Sequence, residues 1–114
     1  MDENRYHESV MVRETVEALH IQKGKKYIDA TVGTAGHSVE IVKRGGIVLG
    51  IDLDEEMLGV AKTRLEEACS TLNRKVEGCF KLARGNFKDI EKIAKEASFS
   101  KVSGIIFDLG VTNI

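Results

Sequence analysis

Short apolar runs alternating with amphipathic stretches constrain this chain more than any other feature. IVLGID (47–52) is a near-continuous apolar run, the pattern of a strand covered on both faces. From Asp54 the spacing changes. Leu58, Ala61, Leu65, Ala68 and Leu72 fall on one stripe of a long helix, and Asp54, Glu55 and Glu56 sit in its first turn, where acids complement the helix dipole. The same alternation recurs on both sides. KYIDAT (26–31) reads as a strand, and HSVEIVKR (37–44) as a helix stopped by Gly45 and Gly46. CFKLARG (79–85) reads as a third strand, and FKDIEKIAKEA (87–97) as a helix with Ile90, Ile93 and Ala97 inward. VSGIIFDLGV (102–111) is the most apolar strand of all. SVMVRETVEALHI (9–21) precedes the rest as a helix, with Val12, Val16 and Leu19 on its stripe and Ser9 as its N-cap. A leading helix, three strand–helix units and a final strand imply parallel strands joined by right-handed crossovers. The expected fold is an open α/β sheet in the order 3-2-1-4 with helices on both faces.

A chain of 114 residues has room for one domain, expected over 1–114. Its net charge of −1 argues against a dedicated nucleic-acid domain, which is more often clearly basic. Cys69 and Cys79 lie ten residues apart without metal-type spacing, as expected of idle reduced thiols. Residues 1–20 carry scattered charges and lack the apolar core of a signal peptide. No apolar run approaches the ~20 residues that span a membrane. A soluble, cytoplasmic protein without a metal centre is expected. The chain ends six residues past Asp108, where a doubly wound domain normally continues. The sequence therefore reads as the first part of a longer domain, or as one whose last strand is covered by another chain.

Chemistry-bearing residues collect at the carboxyl ends of the expected strands, where open α/β sheets bind ligands. Asp29-Ala-Thr-Val-Gly33-Thr-Ala35-Gly36-His37 joins the first strand to its helix through small residues. Such a loop lets a ligand approach the backbone, and it is equally a tight turn with no ligand. Asp52 ends the second strand 19 residues after Gly33, close to the ~20 expected of an acid that grips ribose hydroxyls. Its other role is to cap the next helix, which Asp54 fits better. Asp108 ends the fourth strand. Phe87, in Gly85-Asn86-Phe87 after the third strand, can stack on an adenine ring or open the next helix as a core residue.

HESVMVRETVEAL (7–19), YIDATVGTAGHS (27–38), GIDLD (50–54), GNF (85–87) and GIIFDLGV (104–111) together resemble a bacterial family. Its members methylate N4 of a cytosine in small-subunit ribosomal RNA. The blocks stand in the family's order and spacing and cover nearly the whole chain. The resemblance implies an incomplete Rossmann-like methyltransferase fold that binds S-adenosylmethionine. It implies that Ala35, Gly36 and His37 line the methionine part of the cofactor, beside the Gly33 turn. Asp52 would take the ribose, Phe87 would lie beside the adenine, and Asp108 would close the site. No catalytic residue is assigned. Ala35 stands where the family usually has glycine, which puts a methyl group near the cofactor backbone. Val111-Thr-Asn-Ile114 departs from the usual two serines. The family's downstream part, with a further cofactor contact, a helical insertion and more strands, is absent, so the fragment alone is expected to be inactive or nearly so.

Two other readings compete. A nonenzymatic cofactor-binding or self-assembling module would explain a fourth strand left bare at the sheet edge. No proline or lysine within 104–111 blunts that edge, so a homodimer through residues 102–111 is expected. A nicotinamide-dependent oxidoreductase is disfavoured, because Gly33-Thr-Ala35-Gly36 lacks the GxGxxG spacing that a pyrophosphate needs.

Overall fold

Alternation along each strand builds two cores, one on each side of a single sheet. The computed structural model describes residues 12–107 and 110–114. Helix α1 covers 12–19, followed by β1 (Lys26–Asp29), α2 (Gly36–Lys43), β2 (Ile47–Asp52) and α3 (Glu55–Thr71). A 3-10 turn (Val76–Gly78) leads into β3 (Phe80–Arg84), and a second (Phe87–Asp89) into α4 (Ile90–Glu96). The chain closes with β4 (Val102–Phe107) and β5 (Gly110–Asn113).

The strands lie in the order β3-β2-β1-β4-β5. The first four are parallel, with Ile28 opposite both Leu49 and Ile105, so the expected 3-2-1-4 arrangement is present. Tyr27, Val48 and Ile106 point to one face, where Val16 and Leu19 of α1, Ile41 and Val42 of α2, and Leu65 of α3 cover them. The intervening Ile28, Leu49 and Ile51 point to the other face and meet Ile93 of α4 and Phe99. Strands buried on both sides require the apolar runs seen in the sequence. No helix among the described residues is long and apolar enough to cross a membrane.

Several expectations are corrected. Residues 102–111 are not one strand: the chain folds back, and β5 pairs antiparallel with β4, Ile105 opposite Thr112. The edge of β4 expected to be bare is thus covered by the chain's own last residues. Asn113 ties the hairpin to α1 by donating from Nδ2 to Ala18 O at 3.1 Å. The leading helix stops before His20, which has φ 53°, so Ile21 lies beyond it; Ser9 lies outside the described residues. Leu72 is 38% exposed because α3 ends at Thr71, and Cys69 takes a buried place on its stripe instead. Phe87 opens a 3-10 turn ahead of α4, not the α-helix itself.

The two cysteines are free, and both are buried in the first core. Burial, reinforced by a hydrogen bond to Cys79, pushes the Cys69 thiol up to about 12. A thiol held neutral in this way has little nucleophilic character.

Candidate functional site

Beyond β1 the chain crosses from one neighbouring strand to the other. Ala30 N–H donates to Ile106 O of β4 at 2.9 Å, and Val32 N–H to Ile51 O of β2 at 2.8 Å. The loop therefore lies over the carboxyl end of the sheet where strand order reverses, the usual ligand position in this architecture. Its floor is tight. A Cβ on Gly50 would stand 2.8 Å from Val32 Cγ2 and 2.9 Å from Leu82 Cδ2, so glycine at this point lets Val32 settle onto β2.

Asp29, which ends β1, is 1% exposed and accepts a hydrogen bond from Ser38 Oγ at 2.7 Å. It fixes the first turn of α2 from below. Of the three strand-end acids, Asp29 supports the site from inside and Asp52 reaches its rim.

Asp52 organises the loop with both carboxylate oxygens. Oδ2 accepts from Gly33 N–H at 2.9 Å and Oδ1 from Asp54 N–H at 2.9 Å. Asp54 caps α3 by accepting from Glu56 N–H at 2.9 Å, which leaves Asp52 out of the helix cap. A carboxylate has about four lone-pair positions, so each oxygen of Asp52 retains capacity for a further donor.

Gly33 has φ +49°, a conformation that favours glycine, and the nearest atom to a Cβ placed on it is Thr31 O at 4.0 Å. That side of the loop is open to an approaching ligand. Ala35 is also left-handed, with φ 69°, and is the N-cap residue of α2 without a side-chain cap. The first-turn N–H groups of Gly36, His37 and Ser38 thus receive no help from a capping side chain. The methyl group of Ala35 lies in the first core and is 0% exposed. The left-handed turn directs Cβ inward, so this position offers only backbone to a ligand. Gly36 and His37 are half-buried at the start of α2.

The neighbouring strand supplies the rest. Gly85 N–H donates to Asp52 O at 3.0 Å, and Arg84 Nε to Leu53 O at 3.2 Å, which places the segment after β3 beside the end of β2. Phe87 follows and is 48% exposed, more than the core role would allow. Gly33 and Asp52 are thus in contact, Ala35, Gly36 and His37 continue from that turn into α2, and Phe87 stands on the adjoining strand end; Asp108 lies outside the described residues.

Two features escaped the sequence reading. Leu53 is 61% exposed directly after Asp52 and adds a second apolar surface at this edge. Its signal was an apolar residue between two acids at a strand end. Arg64 of α3 reaches back 30 residues to donate to Thr34 O, a loop contact that has no local signature.

A model of the MraW methylase family matches residues 4–114. The protein named ribosomal RNA small subunit methyltransferase H of Dictyoglomus thermophilum is 38% identical over 110 residues, covering 94% of this chain and 34% of that protein. Its namesake in Sulfurihydrogenibium azorense is 41% identical over 109 residues, again 94% of this chain and 34% of the relative. The chain spans about a third of the length of these curated relatives. Among solved structures, the C-terminal domain of precorrin-6Y C5,15-methyltransferase from Rhodobacter capsulatus superposes with a TM-score of 0.62 at 17% identity, over 86% of this chain and 47% of that one. An rRNA methylase from Streptococcus thermophilus gives 0.58 at 16% identity, over 85% and 51%. At that identity the two structures speak for the fold alone.

Proposed function

This chain belongs to the MraW methylase family, and from that premise we propose that it is the S-adenosylmethionine-binding part of an enzyme that methylates N4 of a cytosine in 16S ribosomal RNA. One observation carries the proposal: the Gly33 N–H bound to Asp52 Oδ2 at 2.9 Å, which joins the glycine turn and the strand-end acid into one preformed cradle. The residues fit the cofactor. Asp52 has acceptor capacity for the ribose hydroxyls, the open side of Gly33 admits the chain, and the start of α2 at Gly36 and His37 faces the methionine part. Phe87, with Leu53, flanks the adenine; the closing role that the resemblance implies for Asp108 falls outside the described residues.

The cofactor supplies an electrophilic methyl group on a sulfonium. The attacking amine is a poor nucleophile, because its lone pair is delocalised into the pyrimidine ring. The task of the protein is therefore positioning, with amine, methyl and sulfur held in line. Gly33 to His37 and Asp52 fix one end of that line. The proposed setting is the cytoplasm. Homodimerisation at this end of the sheet would pair the outer edge of β5, and light scattering at micromolar concentration tests it; a monomer independent of concentration rules it out.

Calorimetry and thermal shift test the cofactor assignment. S-adenosylmethionine should raise Tm and NAD should not. Asp52→Ala should weaken S-adenosylmethionine binding by roughly one to two powers of ten, through removal of charged hydrogen bonds to ribose. Equal affinity in wild type and variant would remove Asp52 from the ribose. A methylation assay on small-subunit ribosomal RNA then separates an enzyme from a binding module.

A further inference from the structure

Parallel connectivity gathers the segments that enter the strands at the amino edge of the sheet, opposite the candidate site. Segments 20–26, 43–47, 72–79 and 97–101 lead into β1, β2, β3 and β4. They lie side by side. Gly24 N–H donates to Gly45 O at 2.9 Å, and Arg74 Nη1 to Val42 O at 2.8 Å. Lys26 is level with both Ile47 and Val102.

These four segments hold eight lysines and arginines against a single acid, Glu77. At the other edge, segments 29–37, 52–56 and 84–91 hold seven acids against two cations. The net charge of −1 therefore conceals a separation of charge along the strand direction, across about 20 Å for a six-residue strand. The acidic edge that carries the candidate site repels a phosphate backbone, so a nucleic-acid substrate needs its electrostatic grip elsewhere.

We propose that the amino edge, through Lys23, Lys25, Lys43, Arg74, Lys75 and Lys101, is a docking surface for the phosphate backbone of an RNA duplex. The proposal rests on an RNA substrate, as inferred above, and adds a second contact on the face away from methyl transfer. Among the described residues none of the six is in an ion pair. Arg74 is oriented by the carbonyls of Val42, Gly46 and Gly78, which fix the guanidinium without neutralising it. Lys101 has φ 57°, a left-handed backbone in which a lysine is strained and a glycine would not be. Four strands about 4.8 Å apart spread the cations into a row about 15 Å long, enough to follow several phosphates of one strand. Leu72 is the one large apolar side chain exposed on these segments among the described residues. A protein partner would need apolar anchors, whereas a phosphate backbone needs none.

The test is fluorescence anisotropy of a labelled 20-base-pair RNA duplex, titrated with the full chain across a KCl series. Wild type should bind with affinity falling steeply with salt, and removing each phosphate-binding cation should flatten the log–log slope by about 0.9. Reversing three charges together, Lys23→Glu, Lys25→Glu and Lys75→Glu, should weaken binding at least about 30-fold and flatten the slope by roughly 2–3. Reversing Lys62 and Lys92 on the outer helix faces should leave affinity within about threefold of wild type. Lys101→Gly separates charge from folding, because it should preserve or raise Tm while weakening RNA binding. The proposal is overturned if wild type does not bind the duplex, or if the triple variant binds it as wild type does. It is overturned equally if polyglutamate displaces RNA at the lower concentration when the two are matched for charge, which would mark a surface for an acidic protein. Calorimetry with S-adenosylmethionine on the same samples keeps the two proposals apart. Cofactor binding without RNA binding sinks the docking surface alone, and RNA binding without cofactor binding sinks the cofactor assignment alone.

Discussion

Replacing Asp52 should loosen the protein before any ligand is added. Both oxygens of its carboxylate accept backbone N–H groups, from Gly33 and from Asp54, each at 2.9 Å. Hydrogen bonds to a charged group contribute roughly 1.5–3 kcal/mol each. Asp52 is only half-buried, so water recovers part of both bonds in Asp52→Ala, and a net loss of about 2 kcal/mol follows. In a domain near this size 1 kcal/mol corresponds to roughly 4–8 °C, so Tm should fall by about 8 °C or more. Asp52→Asn keeps one acceptor oxygen and should lie between wild type and Asp52→Ala. Differential scanning calorimetry of the cofactor-free chain measures the series, with circular dichroism to verify that the sheet persists. If Asp52→Ala melts within about 2 °C of wild type, the carboxylate does not hold the loop. Its role would then be confined to the ligand.

Three further outcomes follow from the same geometry. Ala35→Gly should change stability by less than about 1 kcal/mol, because relief of a left-handed alanine offsets the missing buried methyl and the freer unfolded chain; Ala35→Val should cost about 2 kcal/mol or more, as urea unfolding would measure. Gly50→Ala forces a Cβ to 2.8 Å from Val32 and should cost about 1–3 kcal/mol while weakening cofactor binding, since the loop floor must lift. Cys69 stabilises the fold as a neutral thiol, and its folded value of about 12 is raised from the ordinary 9.0, so its contribution is complete below about pH 9 and fades as pH rises toward 12; the urea midpoint should drop over that window by less in Cys69→Ala than in wild type, and an equal drop would assign the loss to other groups.

Most of the fold was legible because burial on both faces leaves a plain mark in the sequence. A strand such as Ile47–Asp52, with Val48 facing one core and Leu49 the other, must be apolar almost throughout. The same logic misread residues 102–111. An apolar run reports that side chains are covered, and says nothing of where the backbone finds its hydrogen bonds. Ile106 is buried, and Val111, directly opposite it across the hairpin, also packs on the first core, so two short strands leave the same mark as one long strand. At the site, Gly33 and Asp52 were legible from residue type and position. The inward turn of the Ala35 methyl was not, because a left-handed alanine has no distinguishing neighbour in the sequence. Nor was the exposure of Leu53, since apolar residues at strand ends are ordinarily covered.

The separation of 19 residues between Gly33 and Asp52 has a structural origin in the register of the sheet. β1 and β2 run parallel with Asp29 level with Gly50, so Asp52 stands two residues higher on the sheet than the end of β1. The loop after β1 must rise past that level before turning into α2, and Gly33 lies where it does so. One helix and one tight turn between two adjacent parallel strands therefore fix both the spacing and the meeting point. With Asp54 assigned to the cap of α3, Asp52 is released from the helix and turned toward the loop. The bonds to Gly33 and Asp54 then hold its carboxylate in one orientation, and the acceptor positions that remain point in a direction set by the fold. A ligand that donates two hydroxyl groups meets an acceptor whose ordering cost was met when the chain folded. In a chain where the loop and the acid were held independently, Gly33→Ala would leave the ribose affinity of Asp52 intact. Coupling through the 2.9 Å bond requires that this substitution weaken ribose recognition as well as loop stability. Adenosine binding, which lacks the methionine part altogether, would show it.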